Sequence, residues 1–176
     1  MKVVKTGSRC YHKLYLQVPT HCLLLFASQA GDLLDSVKIY TQEDFQLKNL
    51  RCEKAVEKKH NGYNCAQAVA CSFCKEASMD EDTLKKITQG FGAGLGTMAG
   101  TCGAISGAAV VAGLINQDKA GTSQTVRSVM NQFKQQNGTV ICKDLKGVET
   151  GKVLRSCDDC VRDAVKFLED ALKSEN

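Results

Sequence analysis

From Leu47 onward, apolar residues recur at the spacing of helices that bury one face and solvate the other. Leu50, Ala55 and Val56 mark a first amphipathic helix ending at His60-Asn61-Gly62, where Gly62 supplies the stop. Asn64 is placed to cap a second helix, Cys65 to Glu76, with Cys65, Ala68, Val69 and Ser72 on its inner face. Asp80 caps a third, with Glu81 and Asp82 in its first turn and Leu84, Ile87 and Phe91 turned inward. From Gly103 the chain is apolar, without a charge until Asp118, which predicts a buried helix. Another helix, starting at Thr122 or Ser123, carries Val126, Val129, Met130 and Phe133 and closes at Asn137-Gly138. A short β-branched stretch, Thr139 to Cys142, leads into one more turn from Lys143 to Gly147. Ser156, with Asp159 three residues on, approximates a capping box for the last helix, Cys157 to Leu172. The pattern predicts an all-α fold: a compact bundle of about six helices, with a glycine-rich loop before a buried central helix.

That loop concentrates unusual backbone. Gly90, Gly92, Gly94, Gly96 and Gly100 precede Cys102, and Gly103 and Gly107 follow it at i, i+4, where they would let a second helix lie close. Gly94 to Ala99 fits the pattern GxGxxA but follows a helix rather than a strand, and no GxxxxGK is present, so dinucleotide binding is not supported. Residues 1–46 show no clean period and hold the only proline, Pro19; they read as an N-terminal extension to a cysteine-rich helical domain, 47–176. Within the extension, Leu14 to Val18 suggests a short strand and Asp32 to Tyr40 a helical turn.

The net charge of +4 is spread over mixed signs without a basic run interleaved with aromatics, so nucleic acid is not an expected partner. The longest apolar run, Gly103 to Ile115, falls short of the roughly 20 residues that span a bilayer, and no membrane insertion is expected. Ten cysteines change the picture more. Several sit inside helical patterns rather than in a short, loop-rich framework, which points to a cytoplasmic protein with reactive, metal-binding or redox-cycling thiols.

Cys65, Cys102, Cys142 and Cys157 each fall at a helix start, where the dipole and free N–H groups favour thiolate. Cys102, following the glycine loop, is the expected low-pKa, attacking thiol, with Cys65 or Cys142 closing a disulfide onto it. The alternative is a binding protein in which the same four cysteines ligate an iron–sulfur cluster or a soft metal without turnover. A third class is a structural helical module with inert buried thiols. Two Cys-x-x-Cys pairs occur. Cys157-Asp158-Asp159-Cys160 has the helix-start placement of a redox dithiol, although its two carboxylates oppose thiolate formation; Cys71-Ser72-Phe73-Cys74 reads as mid-helix packing. His60 could serve Cys65 as a base but reads better as a solvated helix end.

Four blocks in order carry a resemblance. They are Asn61-Gly62-Tyr63-Asn64-Cys65-Ala66-Gln67-Ala68, Gly100-Thr101-Cys102-Gly103-Ala104-Ile105-Ser106-Gly107, Cys142, and Cys157 followed by Val161-Arg162-Asp163-Ala164-Val165. Together they resemble the C-GCAxxG-C-C family of redox-active proteins, over Leu50 to Leu172. The resemblance implies that Cys65, Cys102, Cys142 and Cys157 are the family's four characteristic cysteines, with the CGAxxG motif at Cys102 to Gly107. It names no cofactor, substrate or electron partner, and it leaves Cys71, Cys74, Cys160 and residues 1–46 outside the pattern. The small-residue helix face leaves room for a homodimer.

Overall fold

The computed structural model describes residues 42–174, as eight helical segments. They are α1 (Gln42–His60), α2 (Cys65–Ala70), α3 (Glu81–Ile87), α4 (Gly92–Leu95), α5 (Gly103–Asn116), α6 (Lys119–Asn137), α7 (Cys142–Leu145) and α8 (Cys157–Ser174). A 3-10 turn, Gln89–Phe91, precedes α4. No strand occurs among the described residues, only an isolated antiparallel bridge between Thr101 and Ile141. The fold is all-α, and the six helices other than the four-residue α4 and α7 correspond to the six expected. The strand and turn expected before residue 41 lie outside the described residues.

The buried helix α5 is the centre of the bundle and packs against α2, α6 and α8. Ala104, Ile105, Ala108, Val111 and Ala112 meet Val69, Val129, Phe133, Val161, Val165 and Leu168 in one core. Glycine sets how closely α5 is approached: a Cβ on Gly107 would lie 2.4 Å from the Ala66 carbonyl oxygen of α2, and one on Gly103 would lie 2.6 Å from that of Phe91 in the 3-10 turn. No side chain fits there, which is the close approach that the i, i+4 glycines anticipate. On α8, Val161, Ala164, Val165 and Leu168 are fully buried. The outer helix α1 is tied to α8 by charge as well, through Arg51–Glu169 at 2.6 Å and Arg162–Glu53 at 2.8 Å.

Three local expectations are corrected. The second helix ends at Ala70 rather than Glu76. There the Ser72 hydroxyl donates to the Ala68 carbonyl and Arg51 captures the Ser72 carbonyl, while Phe73 turns into the core beneath the Arg51 guanidinium. Cys71 and Cys74 therefore sit in a turn beyond the helix, their thiols donating to the Glu81 and Cys71 carbonyls. Ile87 is 45% exposed, because Thr88 takes the interior position and returns its hydroxyl to the Leu84 carbonyl. Finally, α6 starts at Lys119, since Asp118 rather than Thr122 or Ser123 caps it, accepting from the Gly121 N–H.

Candidate functional site

Two of the four helix starts are fixed by local side-chain caps, and the other two are joined to each other by a long-range backbone clasp. At α2, Asn64 accepts from the Gln67 N–H while the Gln67 side chain accepts from the Asn64 N–H, each at 2.9 Å, so Cys65 becomes the first helical residue. At α8, the Ser156 hydroxyl accepts from the Asp159 N–H and donates to its carboxylate, a variant of the expected capping box that presents Cys157 first. Cys102 is the N-cap of α5. Its N–H donates to the Val140 carbonyl at 2.7 Å, and the Cys142 N–H returns to Gly100 at 3.0 Å. The Lys143 N–H adds a third bond, to Met98, at 2.7 Å. This backbone clasp lays the glycine loop against Cys142, the first residue of α7. Gly94, with φ of +57°, permits it: a Cβ there would lie 2.8 Å from that of Cys142.

These starts converge. Cys65, Cys102, Cys142 and Cys157 interact with one another electrostatically, and Cys160 joins them. The sulfurs fall into two neighbouring pairs, Cys65 with Cys157 and Cys102 with Cys160, each the largest electrostatic influence on its partner. All eight cysteines in the described residues are free thiols. The pairs differ in access. Cys65 and Cys157 are half-buried, whereas Cys102 is 2% exposed and Cys160 fully enclosed. Lys146, just past α7, joins them: its ammonium lies 3.6 Å from Cys160 Sγ, donates to the Arg155 carbonyl at 2.9 Å, and acts electrostatically on Cys157.

The electrostatics divide each pair. The neighbouring Cys65 draws the Cys157 thiol down to about 5 against the opposing effect of burial, helped by the charges of Lys146 and Lys59. Cys65 moves the other way, pushed up by Cys157 and by burial. In the inner pair, Cys102 and the Lys146 ammonium pull the Cys160 thiol down, while Cys102 is pushed up by Cys160 and by burial. Burial also raises Cys142. Burial opposes the charge on Lys146, but the sulfurs of Cys160, Cys157 and Cys102 outweigh it and raise its pKa. Against the expectation of an accessible, low-pKa thiol at Cys102, that thiol is enclosed and pushed up, while the half-buried thiol drawn down is Cys157, at the start of the 18-residue α8.

The carboxylates expected to oppose a thiolate at Cys157 are occupied. Asp158 pairs with Lys59 at 2.9 Å and His60 at 2.8 Å, and Asp159 with Ser156 and Arg162. His60 is thus engaged with Asp158 at a solvated helix end. Cys71 and Cys74 belong to a separate small cluster with Leu84. Sequence reasoning missed Lys146 and set Cys160 outside the pattern. Lys146 is one lysine among many in the sequence, and its site is built by tertiary contacts. The buried Asp163 holds Arg155 by two bonds of 2.9 Å, and the Arg155 carbonyl holds the ammonium. Cys160, one helical turn after Cys157, was the more legible of the two.

Among the described residues, no group of three or more His, Cys, Asp or Glu side chains is arranged to hold a metal ion. No helix among them is long and apolar enough to cross a membrane. A family model described as "Putative redox-active protein (C_GCAxxG_C_C)" matches residues 63–171, a span containing all five clustered cysteines and Lys146. Neither the curated proteins nor the solved structures give a match.

Proposed function

We propose, on the premise that this chain belongs to the C-GCAxxG-C-C redox-active family, that it carries out dithiol–disulfide exchange through Cys157 and Cys65. One observation carries the reading: two half-buried thiols stand as neighbours at the starts of α8 and α2, with Lys146 and Lys59 charging the Cys157 side. The Cys157 thiolate attacks one sulfur of a partner disulfide, forming a mixed disulfide and releasing the other partner sulfur as thiolate. Cys65 then gives up its proton and attacks Cys157 Sγ. The Cys65–Cys157 disulfide forms, the second partner thiol leaves, and two electrons have passed to the partner. Cys102 becomes a supporting residue of the inner pair rather than the attacking group, and Cys142 packs beside it.

The test uses the fully reduced protein and a small disulfide, oxidised glutathione. Differential alkylation and peptide mass mapping should find Cys65 linked to Cys157 and no linkage in Cys157→Ser. A wild-type protein that keeps all its thiols under excess disulfide would overturn the reading. Stoichiometric uptake of iron or zinc that protects Cys65, Cys102, Cys142 and Cys157 together would favour ligation instead.

A further inference from the structure

We infer that Cys102 and Cys160 form a second, buried dithiol that exchanges electrons with the Cys65–Cys157 pair inside the protein, with Lys146 as the cation common to both. The inference rests on the dithiol reading above and adds a second stage to it.

The geometry of the inner pair is not that of packing residues. Cys160 is completely enclosed and Cys102 is 2% exposed, in the same core cluster, and each is the other's main electrostatic neighbour. Beside them, at 3.6 Å from Cys160 Sγ, lies an ammonium. Lys146 is half-buried, and a partly desolvated cation favours a negative partner. The hydrogen-bond partners of Lys146 are the Arg155 carbonyl and Cys160 Sγ, so its charge favours the thiolate form of the inner sulfur. The ammonium is held there by construction, through the Asp163–Arg155 pair, whose Asp163 side chain is 5% exposed and also accepts from Gln136 and Asn137. Enclosure bars a partner disulfide from the inner sulfurs. Cys157 and Cys160, however, share the first turn of α8, spaced to face the same side, and Cys102 interacts electrostatically with Cys65.

The exchange balances without an outside reagent. With the outer pair oxidised, the Cys160 thiolate attacks Cys157 Sγ, the Cys65–Cys157 bond breaks, and Cys65 leaves as thiolate. Cys102 passes its proton to Cys65, then attacks Cys160 Sγ in the Cys157–Cys160 disulfide and releases the Cys157 thiolate. The inner pair is now a disulfide, the outer pair is dithiol again, and two electrons have moved outward. The protein then delivers four electrons to disulfide substrate before it must be reduced.

The test maps linkages in reduced full-length protein treated with oxidised glutathione. At one equivalent, a Cys102–Cys160 linkage should accumulate after the Cys65–Cys157 linkage, with Cys65 and Cys157 returning to free thiols. At excess, four thiols should be lost. Cys160→Ser and, independently, Cys102→Ser should lose two, both from the outer pair, and Cys157→Ser should leave the inner pair reduced. Wild-type protein that loses only Cys65 and Cys157 at excess would overturn the second stage while leaving the proposed function standing. Oxidation of the inner pair in Cys157→Ser would also overturn it, because the buried thiols would then be reached directly. Loss of no thiols at all would sink the first reading, and this one with it.

Discussion

Replacing Lys146 with methionine keeps most of the aliphatic stem and removes the charge that faces two sulfurs. Cys157 is drawn down to about 5, with the neighbouring Cys65 as the largest cause and Lys146 adding to it. An opposite charge at contact distance typically moves a pKa by about 1 to 3. At about 1.4 kcal/mol for each, the ammonium is worth on the order of 1.4 to 4 kcal/mol to the thiolate. Cys157 is half-buried, so solvent screening favours the lower part of that range. The midpoint should therefore rise to about 6 or 7, still below the ordinary 9.0 because Cys65 and Lys59 remain. The assay follows alkylation of the Cys157 peptide against pH. The midpoint is the useful readout, because a thiolate's intrinsic nucleophilicity rises with its pKa and partly masks changes in absolute rate. Lys146→Arg should hold the midpoint low if charge is what matters. A midpoint that stays near 5 in a folded Lys146→Met protein would refute the assignment of Lys146 to this site.

Four further outcomes are expected. Because the folded-state pKa of Cys157 lies below its ordinary 9.0, its thiolate stabilises the fold, and that contribution is lost as pH falls toward 5; thermal unfolding of the reduced protein should move to higher temperature between about pH 5 and 8, and this part of the rise should vanish once Cys157 is oxidised. Gly107→Ala places a Cβ where the Ala66 carbonyl now sits and should cost about 1–3 kcal/mol, read as a shifted urea midpoint. Asp163→Asn strips the charge partner from Arg155 in a buried network and should cost about 3–5 kcal/mol in the same assay. The double variant Cys71→Ser, Cys74→Ser, in a cluster separate from the five sulfurs, should leave the number of thiols lost to oxidised glutathione unchanged.

Much of this was legible in the chain because it is local. The Asn64 cap, the Gly103–Gly107 spacing and the Ser156 cap are short-range signals, and they placed Cys65, Cys102 and Cys157 correctly at helix starts. What was not legible was the pairing of sulfurs. Helix-start position alone ranks Cys102 with Cys157, but burial and the partner sulfur separate them, and both depend on how α5 meets α8. The overrun of α2 has the same origin. Its composition stays helix-compatible to Glu76, and a guanidinium from α1 decides where it ends. Lys146 carries no local signal at all, since the groups that hold it lie in α8 and the residues just before it.

The clasp between the glycine loop and the segment around Cys142 is made by main-chain amides and carbonyls. The chemistry of the side chains at Met98, Thr101, Val140, Ile141 and Lys143 therefore contributes nothing to the three bonds that bring Cys102 and Cys142 together. Those positions can drift in sequence while the sulfurs keep their places, so long as each amide still has a hydrogen to give. Proline is the exception. At position 143 it would delete the donor to Met98 and open the loop, although no functional side chain had been touched.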